Sequence, residues 1–163
     1  MKIKVESQPD SKGQESPTRF TLGSRTIEVE ASVDRSTGRI QLLRAVAAVD
    51  CGQVVNPDGI RNQIEGGFIQ ASSWTLFEAV GFDRNGITSR DWSSYPILRF
   101  SAAPQSVDVH IIDRPGQPFL GAGEGAQGPA AAAVGNAVAA AAGRRIRELP
   151  LQAALTAAFN GSA

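Results

Sequence analysis

Arg25-Thr-Ile-Glu-Val-Glu-Ala-Ser-Val33, followed by Asp34-Arg-Ser-Thr-Gly38 and then Arg39-Ile-Gln-Leu-Leu-Arg-Ala-Val-Ala-Ala-Val49, is the stretch that decides the fold. In its first part Ile27, Val29, Ala31 and Val33 point one way, and Thr26, Glu28, Glu30 and Ser32 point the other. That period of two predicts a half-buried strand. Asp34 to Gly38 is turn chemistry, with Gly38 free to take a positive φ. The part from Arg39 is a second, more apolar strand, so the whole reads as an antiparallel hairpin.

C-terminal to the hairpin, Val49-Asp-Cys-Gly-Gln-Val-Val-Asn-Pro57 ends in a helix start, where Asn56 suits the cap and Pro57 the first turn. Ile60, Ile64, Phe68 and Ala71 recur at helical spacing, and Trp74 is expected to complete that apolar face. The pair Gly66-Gly67 costs roughly 1 kcal/mol per glycine inside a helix. Something is therefore expected to pack close there, a ligand or a neighbouring element. Asn85-Gly86 marks a turn ahead of a short strand over residues 87–90. Tyr95-Pro96 is an extended step. Ser106 to Ile112 alternates again, with His110 facing outward.

The next landmark is Gly121-Ala-Gly-Glu-Gly-Ala-Gln-Gly-Pro129, running into an alanine-rich helix predicted from Pro129 to Ala142. Glycines let backbone approach a ligand, and a helix start offers free N–H groups. A flexible Gly/Ala connector with a solvated charge is the other reading of the same residues. Gly143 stops the helix, and Arg144, Arg145 and Arg147 suit its negative end. A final short helix spans residues 151–159. Paired strands with packed helices make an α+β domain: antiparallel β-hairpins against two main helices.

N-terminal to the hairpin, residues 1–24 read as an arm, partly mobile over residues 8–18. Residues 25–163 form the domain. The 163-residue chain is long enough to bury a core. Its net charge of +0 gives no case for nucleic acid. One cysteine excludes an internal disulfide, and one cysteine with one histidine is too little for a protein-only zinc site. No apolar run approaches the ~18 residues of a membrane span, and the first residues lack the apolar core of a signal peptide.

The motifs Val49-Asp-Cys-Gly-Gln-Val-Val-Asn-Pro57 and Asn62-Gln-Ile-Glu-Gly-Gly67 resemble a signature of the molybdenum-binding large subunit of the xanthine oxidase and aldehyde oxidase family. Tyr95-Pro-Ile-Leu-Arg99, Val107-Asp-Val-His-Ile111, Gly121-Ala-Gly-Glu124, Gly135-Asn-Ala137 and Gly143-Arg-Arg-Ile-Arg-Glu-Leu-Pro150 follow in that family's order. The nearest flavour is the isoquinoline 1-oxidoreductase and nicotinate or aldehyde dehydrogenase type. The resemblance covers residues 26–151 and only the C-terminal part of a much larger subunit. It implies a piece of a larger molybdopterin-binding domain. The cofactor implied is molybdenum-molybdopterin, in bacteria usually as the cytosine dinucleotide. The activity implied is hydroxylation of an N-heterocycle or oxidation of an aldehyde with oxygen from water. The partners implied are the rest of the molybdenum subunit and an iron–sulfur subunit that carries the electrons away.

Matched residue by residue, the resemblance makes Glu124 the base that takes a proton from a molybdenum-bound hydroxyl. It places Asp50, Cys51, Gly52, Gln53, Asn56 and Gln63 at the cofactor, with Gly121, Ala122 and Gly123 offering backbone beside the metal. Screening of Glu124 from water would raise its pKa, and the helix start would lower it. Plainer roles stand beside these: Asp50 as a strand-end cap, Cys51 as a small buried hydrophobe, Asn56 as only an N-cap. Gly125 departs from the proline common at that place, which implies a looser loop. The family's earlier cofactor loops and its substrate pocket have no counterpart here. The expectation is a fragment, a separately encoded piece or a non-catalytic remnant that binds another subunit, with apolar faces that limit solubility when alone. A stand-alone domain binding phosphate at residues 121–129 is a third reading.

Overall fold

A computed structural model of the chain describes Val5–Glu6, Thr18–Leu22 and residues 25–160. Seven strands and three helices are found among these residues: β1 (Val5–Glu6), β2 (Thr18–Leu22), β3 (Arg25–Val33), β4 (Ile40–Asp50), α1 (Pro57–Leu76), β5 (Phe82–Asp83), β6 (Gly86–Ile87), β7 (Ser106–Ile112), α2 (Gln127–Ala142) and α3 (Leu151–Asn160). The main sheet has the order β1-β2-β3-β4-β7, and β5-β6 is a separate small hairpin. The 1–24 segment therefore contributes two strands to the sheet, and Thr18 belongs to one of them. A loose arm over residues 8–17 concerns positions outside the described residues.

The β3–β4 hairpin forms as its alternation predicts, with one irregularity. Glu30 pairs with Arg44 but Ala31 pairs with Leu42, so Leu43 is an extra residue on β4. Such a bulge shifts the inward parity of a strand. Ile40 and Leu42 face inward before it, and Ala45, Ala47 and Val49 after it. The released Leu43 carbonyl accepts from Gln105 N at 2.9 Å, just ahead of β7. At the hairpin turn Gly38 takes φ 72°, and a Cβ there would lie 2.9 Å from Thr156 Cα. Gln152 of α3 clasps the same turn, donating to Gly38 O at 2.8 Å and accepting from Ile40 N at 3.0 Å.

The α+β class is confirmed, and one strand joins it differently from a hairpin. β7 runs parallel to β4, from Arg44 opposite Ser106 to Asp50 opposite Ile112. Parallel neighbours need a crossover connection, which α1 supplies. α1 packs on β7 and α2, and α2 lies across β2 and β3. The core is Ile27, Val29, Leu42 and Val49 of the sheet against Ile64 and Phe68 of α1 and Val134 and Val138 of α2, with Leu155 of α3. The alanines of α2 (Ala130, Ala133, Ala137) are buried and let it lie close to the sheet. α2 begins at Gln127, two residues before Pro129, and ends at Gly143 in the left-handed conformation (φ 68°). Arg144 and Arg145 turn to other acceptors, Ala158 O and the Asn136 side chain.

Trp74 does not complete the apolar face of α1. At about 100° per residue, Thr75 falls in line with Ile64, Phe68 and Ala71, and Trp74 is turned out and 37% exposed. Thr75 sits there because its hydroxyl bonds Ala71 O at 2.7 Å. Gly67 meets the close neighbour expected of it: a Cβ there would lie 3.3 Å from Ala126 Cβ, whereas Gly66 faces open space. The neighbour is the residue before α2, so that contact is between elements. The strand expected over residues 87–90 is shorter, Gly86–Ile87.

Ser72 is fully buried, and its hydroxyl finds no partner among the described residues. Such a hydroxyl costs about 1 kcal/mol or more. Ser72→Ala is therefore expected to leave thermal stability unchanged or raise it by about 1 kcal/mol. A clear drop in the unfolding midpoint would show that the hydroxyl has a partner.

Candidate functional site

Three pieces of chain, the first two continuous with each other, meet at the end of the sheet where β4 and β7 finish. The first is the 51–56 connection leaving β4, the second is the N-terminal half of α1, and the third is the 113–123 stretch leaving β7. Between them lies a cavity of about 310 Å³ lined by Cys51, Gln53, Val55, Asn56, Gly59, Ile60, Gln63, Phe119, Leu120, Ala122 and Gly123.

On α1 the lining follows helix geometry. Asn56, Gly59, Ile60 and Gln63 stand at i, i+3, i+4 and i+7, one face over two turns. Asn56 is also the N-cap: its side chain accepts from Gly59 N at 2.9 Å. It is thus an N-cap that also lines the cavity. Cys51 is buried (2% exposed), as a small hydrophobe should be, and still forms part of the cavity wall.

Asp50 and Gly52 do not line the cavity; they bind the 113–120 loop to it. The Asp50 carboxylate accepts from Gly52 N at 3.1 Å and pairs with Arg114 at 2.6 Å. Gly52 takes φ 76°, and a Cβ there would collide with the Pro118 carbonyl. Arg114 N donates to Gly52 O (3.2 Å) and Leu120 N to Cys51 O (2.8 Å). Val54 N donates to Asp113 (2.9 Å), and Gly116 N donates to Gln53 Oε1 (3.2 Å). These contacts place Phe119 and Leu120 at the cavity, where both are exposed.

Ala122 and Gly123 line the cavity, while Gly121 and Glu124 sit beside it, both exposed. The described residues leave Glu124 open to solvent, so the screening expected of it is not supplied by its flanking glycines. A Cβ on Gly121 or Gly123 would meet nothing within 4 Å, and neither has a positive φ. Nothing within the described residues requires glycine at these two positions. A ligand lying against the backbone would.

Sequence reasoning left out Val55, Gly59, Ile60, Phe119 and Leu120. The signal for the last pair was an apolar dipeptide directly before a glycine-rich loop. Every lining side chain is uncharged: amides to bond ring edges, apolar groups to cover ring faces. The positive end of α1 opens at the same place, which favours phosphate oxygens. Among the described residues no group of three His, Cys, Asp or Glu could hold a metal ion. What these residues offer a cofactor is hydrogen bonds and apolar cover. That donor set fits a molybdopterin, whose ring has amide-like edges and whose tail carries phosphate. No helix among the described residues is long and apolar enough to cross a membrane.

A family model described as a molybdopterin cofactor-binding domain matches residues 2–104. The chain is 44% identical over 124 residues to a nicotinate dehydrogenase subunit of Pseudomonas putida, covering 76% of this chain and 10% of that protein. It is 33% identical over 126 residues to an isoquinoline 1-oxidoreductase subunit of Brevundimonas diminuta, covering 77% of this chain and 16% of that one. The crystal structure of quinoline 2-oxidoreductase from Pseudomonas putida 86 superposes with a TM-score of 0.74 at 24% identity, over 90% of this chain and 19% of that one. At that identity the likeness establishes the fold. The chain spans 10% and 16% of the length of these two curated relatives.

Proposed function

Because this chain belongs to the molybdopterin cofactor-binding domain family, we propose that it is the part of a molybdenum hydroxylase that cradles the cofactor and supplies the base Glu124. The observation that carries this reading is the cavity itself. Six residues matched to the family's cofactor positions, Cys51, Gln53, Asn56, Gln63, Ala122 and Gly123, arrive from two stretches nearly 60 positions apart, residues 51–63 and 122–123, and line one space. The family match ends at residue 104, so the 121–125 turn enters the reading through Ala122 and Gly123.

Gln53, Asn56 and Gln63 would hold the ring edges of the cofactor, with Val55, Ile60, Phe119 and Leu120 against its faces. The N-terminal end of α1 would face its phosphates, in the cytosine dinucleotide form. The bound cofactor supplies the redox centre and the oxygen that is inserted. This chain's own part is to orient that group, exclude water with Phe119 and Leu120, and accept a proton on the Glu124 carboxylate. The substrate class is an N-heterocycle or an aldehyde, in line with relatives named for nicotinate, isoquinoline and aldehyde. Electrons leave through iron–sulfur clusters on a partner subunit.

The site needs a larger body around it, and the surface is consistent with one. Phe82, Trp92, Phe100 and Phe119 are exposed, Phe100 at 99%. Exposed aromatics on this scale suit burial against further protein. Residues 25–160 would then be one part of the cofactor-binding unit, with the rest of the molybdenum subunit packed on it.

The reading is tested by the molybdenum content of the native complex carrying this chain. About one metal per chain is expected. Gln63 is exposed on α1, so Gln63→Leu should fold normally. The loss of one amide hydrogen bond to the cofactor, about 1 kcal/mol, should lower the retained molybdenum severalfold on dilution. A folded complex without molybdenum would instead support a non-catalytic interaction module.

A further inference from the structure

The 121–125 turn is poorly held by its own hydrogen bonds. Gly125 N to Ala122 O is 3.4 Å and Gln127 N to Glu124 O is 3.3 Å. Both are long for N–H···O bonds. The short bond to the turn comes from elsewhere: Arg25 Nη2, at the start of β3, donates to Gly121 O at 2.7 Å. A charged donor at that distance is among the stronger hydrogen bonds.

The same side chain supports the other end of the turn. A Cβ built on Gly125 would fall on Arg25 Nε and lie 2.9 Å from Arg25 Cδ. That Nε is buried and meets no acceptor among the described residues. The arginine stem therefore passes against the backbone of Gly125 while its tip holds Gly121. Glu124 lies between these two points. The arrangement requires residue 125 to have no side chain. Any residue with a Cβ at 125 would need the space that Arg25 occupies.

We propose that Arg25 is a positioning residue: it sets the place of the Glu124 turn relative to the cavity, and Gly125 is its matched receptor. The catalytic consequence rests on the reading of Glu124 as the base. Arg25→Met keeps the stem and removes the donors; Arg25→Lys keeps one donor. In the assembled enzyme, hydrogen exchange at the 121–126 amides should be about tenfold faster in Arg25→Met, with β4 and α2 unchanged. Its kcat should fall about 10–100-fold at unchanged KM and molybdenum content. Arg25→Lys should recover most of that loss. Gly125→Ala displaces Arg25 from the other side and should give the Arg25→Met pattern, which keeps the test valid if Arg25→Met does not fold. Wild-type exchange at 121–126 in these variants overturns the proposal. Faster exchange with wild-type kcat overturns its catalytic half. Glu124→Gln then separates the two readings: if that variant is inactive, the base assignment stands and only the positioning role is rejected.

Discussion

Glu124→Gln should lower turnover of the assembled enzyme by about 10³-fold or more, with molybdenum content and thermal stability close to wild type. The exchange is nearly isosteric. Glu124 is exposed, and no side-chain hydrogen bond or ion pair ties it to the described residues, so stability should be untouched. What is lost is a proton acceptor, because an amide cannot take a proton near neutral pH. General-base contributions run to about 10²–10⁴ in rate, and a 10³-fold loss corresponds to about 4 kcal/mol in the barrier. The measurement is steady-state turnover with an N-heterocycle or aldehyde, beside elemental analysis of the same preparation. Full activity in the variant would falsify the assignment of Glu124 as the base.

The second large effect is expected from a residue that touches no ligand. Gly52→Ala should destabilise the protein by about 2–4 kcal/mol and strip it of cofactor. Two costs add. A non-glycine residue at φ 76° is strained by about 1 kcal/mol or more, and the new Cβ collides with the Pro118 carbonyl. Relief requires the 113–120 loop to move outward. That motion breaks the Leu120–Cys51 bond and pulls on the Asp50–Arg114 pair. Phe119 and Leu120 then leave the cavity wall. Gly123→Ala is the matching control: its Cβ has open space, so the thermal midpoint should hold within about 0.5 kcal/mol while cofactor content falls. A Gly52→Ala protein as stable as wild type would show that the loop yields freely and does not shape the site.

Much of this could be read from the chain because the signals are local. The β3–β4 alternation, Gly38 in its turn, Asn56 and Pro57 at the start of α1 and Gly143 at the end of α2 each answer to neighbours within a few residues. The cavity residues Gln53, Asn56 and Gln63 were legible for a related reason: two loops and one helix face carry family motifs whose order along the chain is itself informative. Trp74 was misread because its spacing from Ala71 fits an apolar stripe, and nothing nearby shows that Thr75 can bury its hydroxyl on Ala71 O.

By itself the sequence determined the element types, the α+β class, the family and the short list of polar residues at the site. Only the tertiary structure decided that β7 runs parallel to β4, that Leu43 shifts the inward face of β4, that Asp50 and Gly52 brace a loop, and that Arg25 supports the Glu124 turn. Apart from the bulge, which lies within one hairpin, each of these is a contact between residues far apart in the chain: Arg25 and Gly121 are separated by 96 positions. Periodicity and capping report what a segment prefers within a few residues of itself. Which distant carbonyl an arginine reaches depends on how the sheet and helices pack, and no local pattern carries that information.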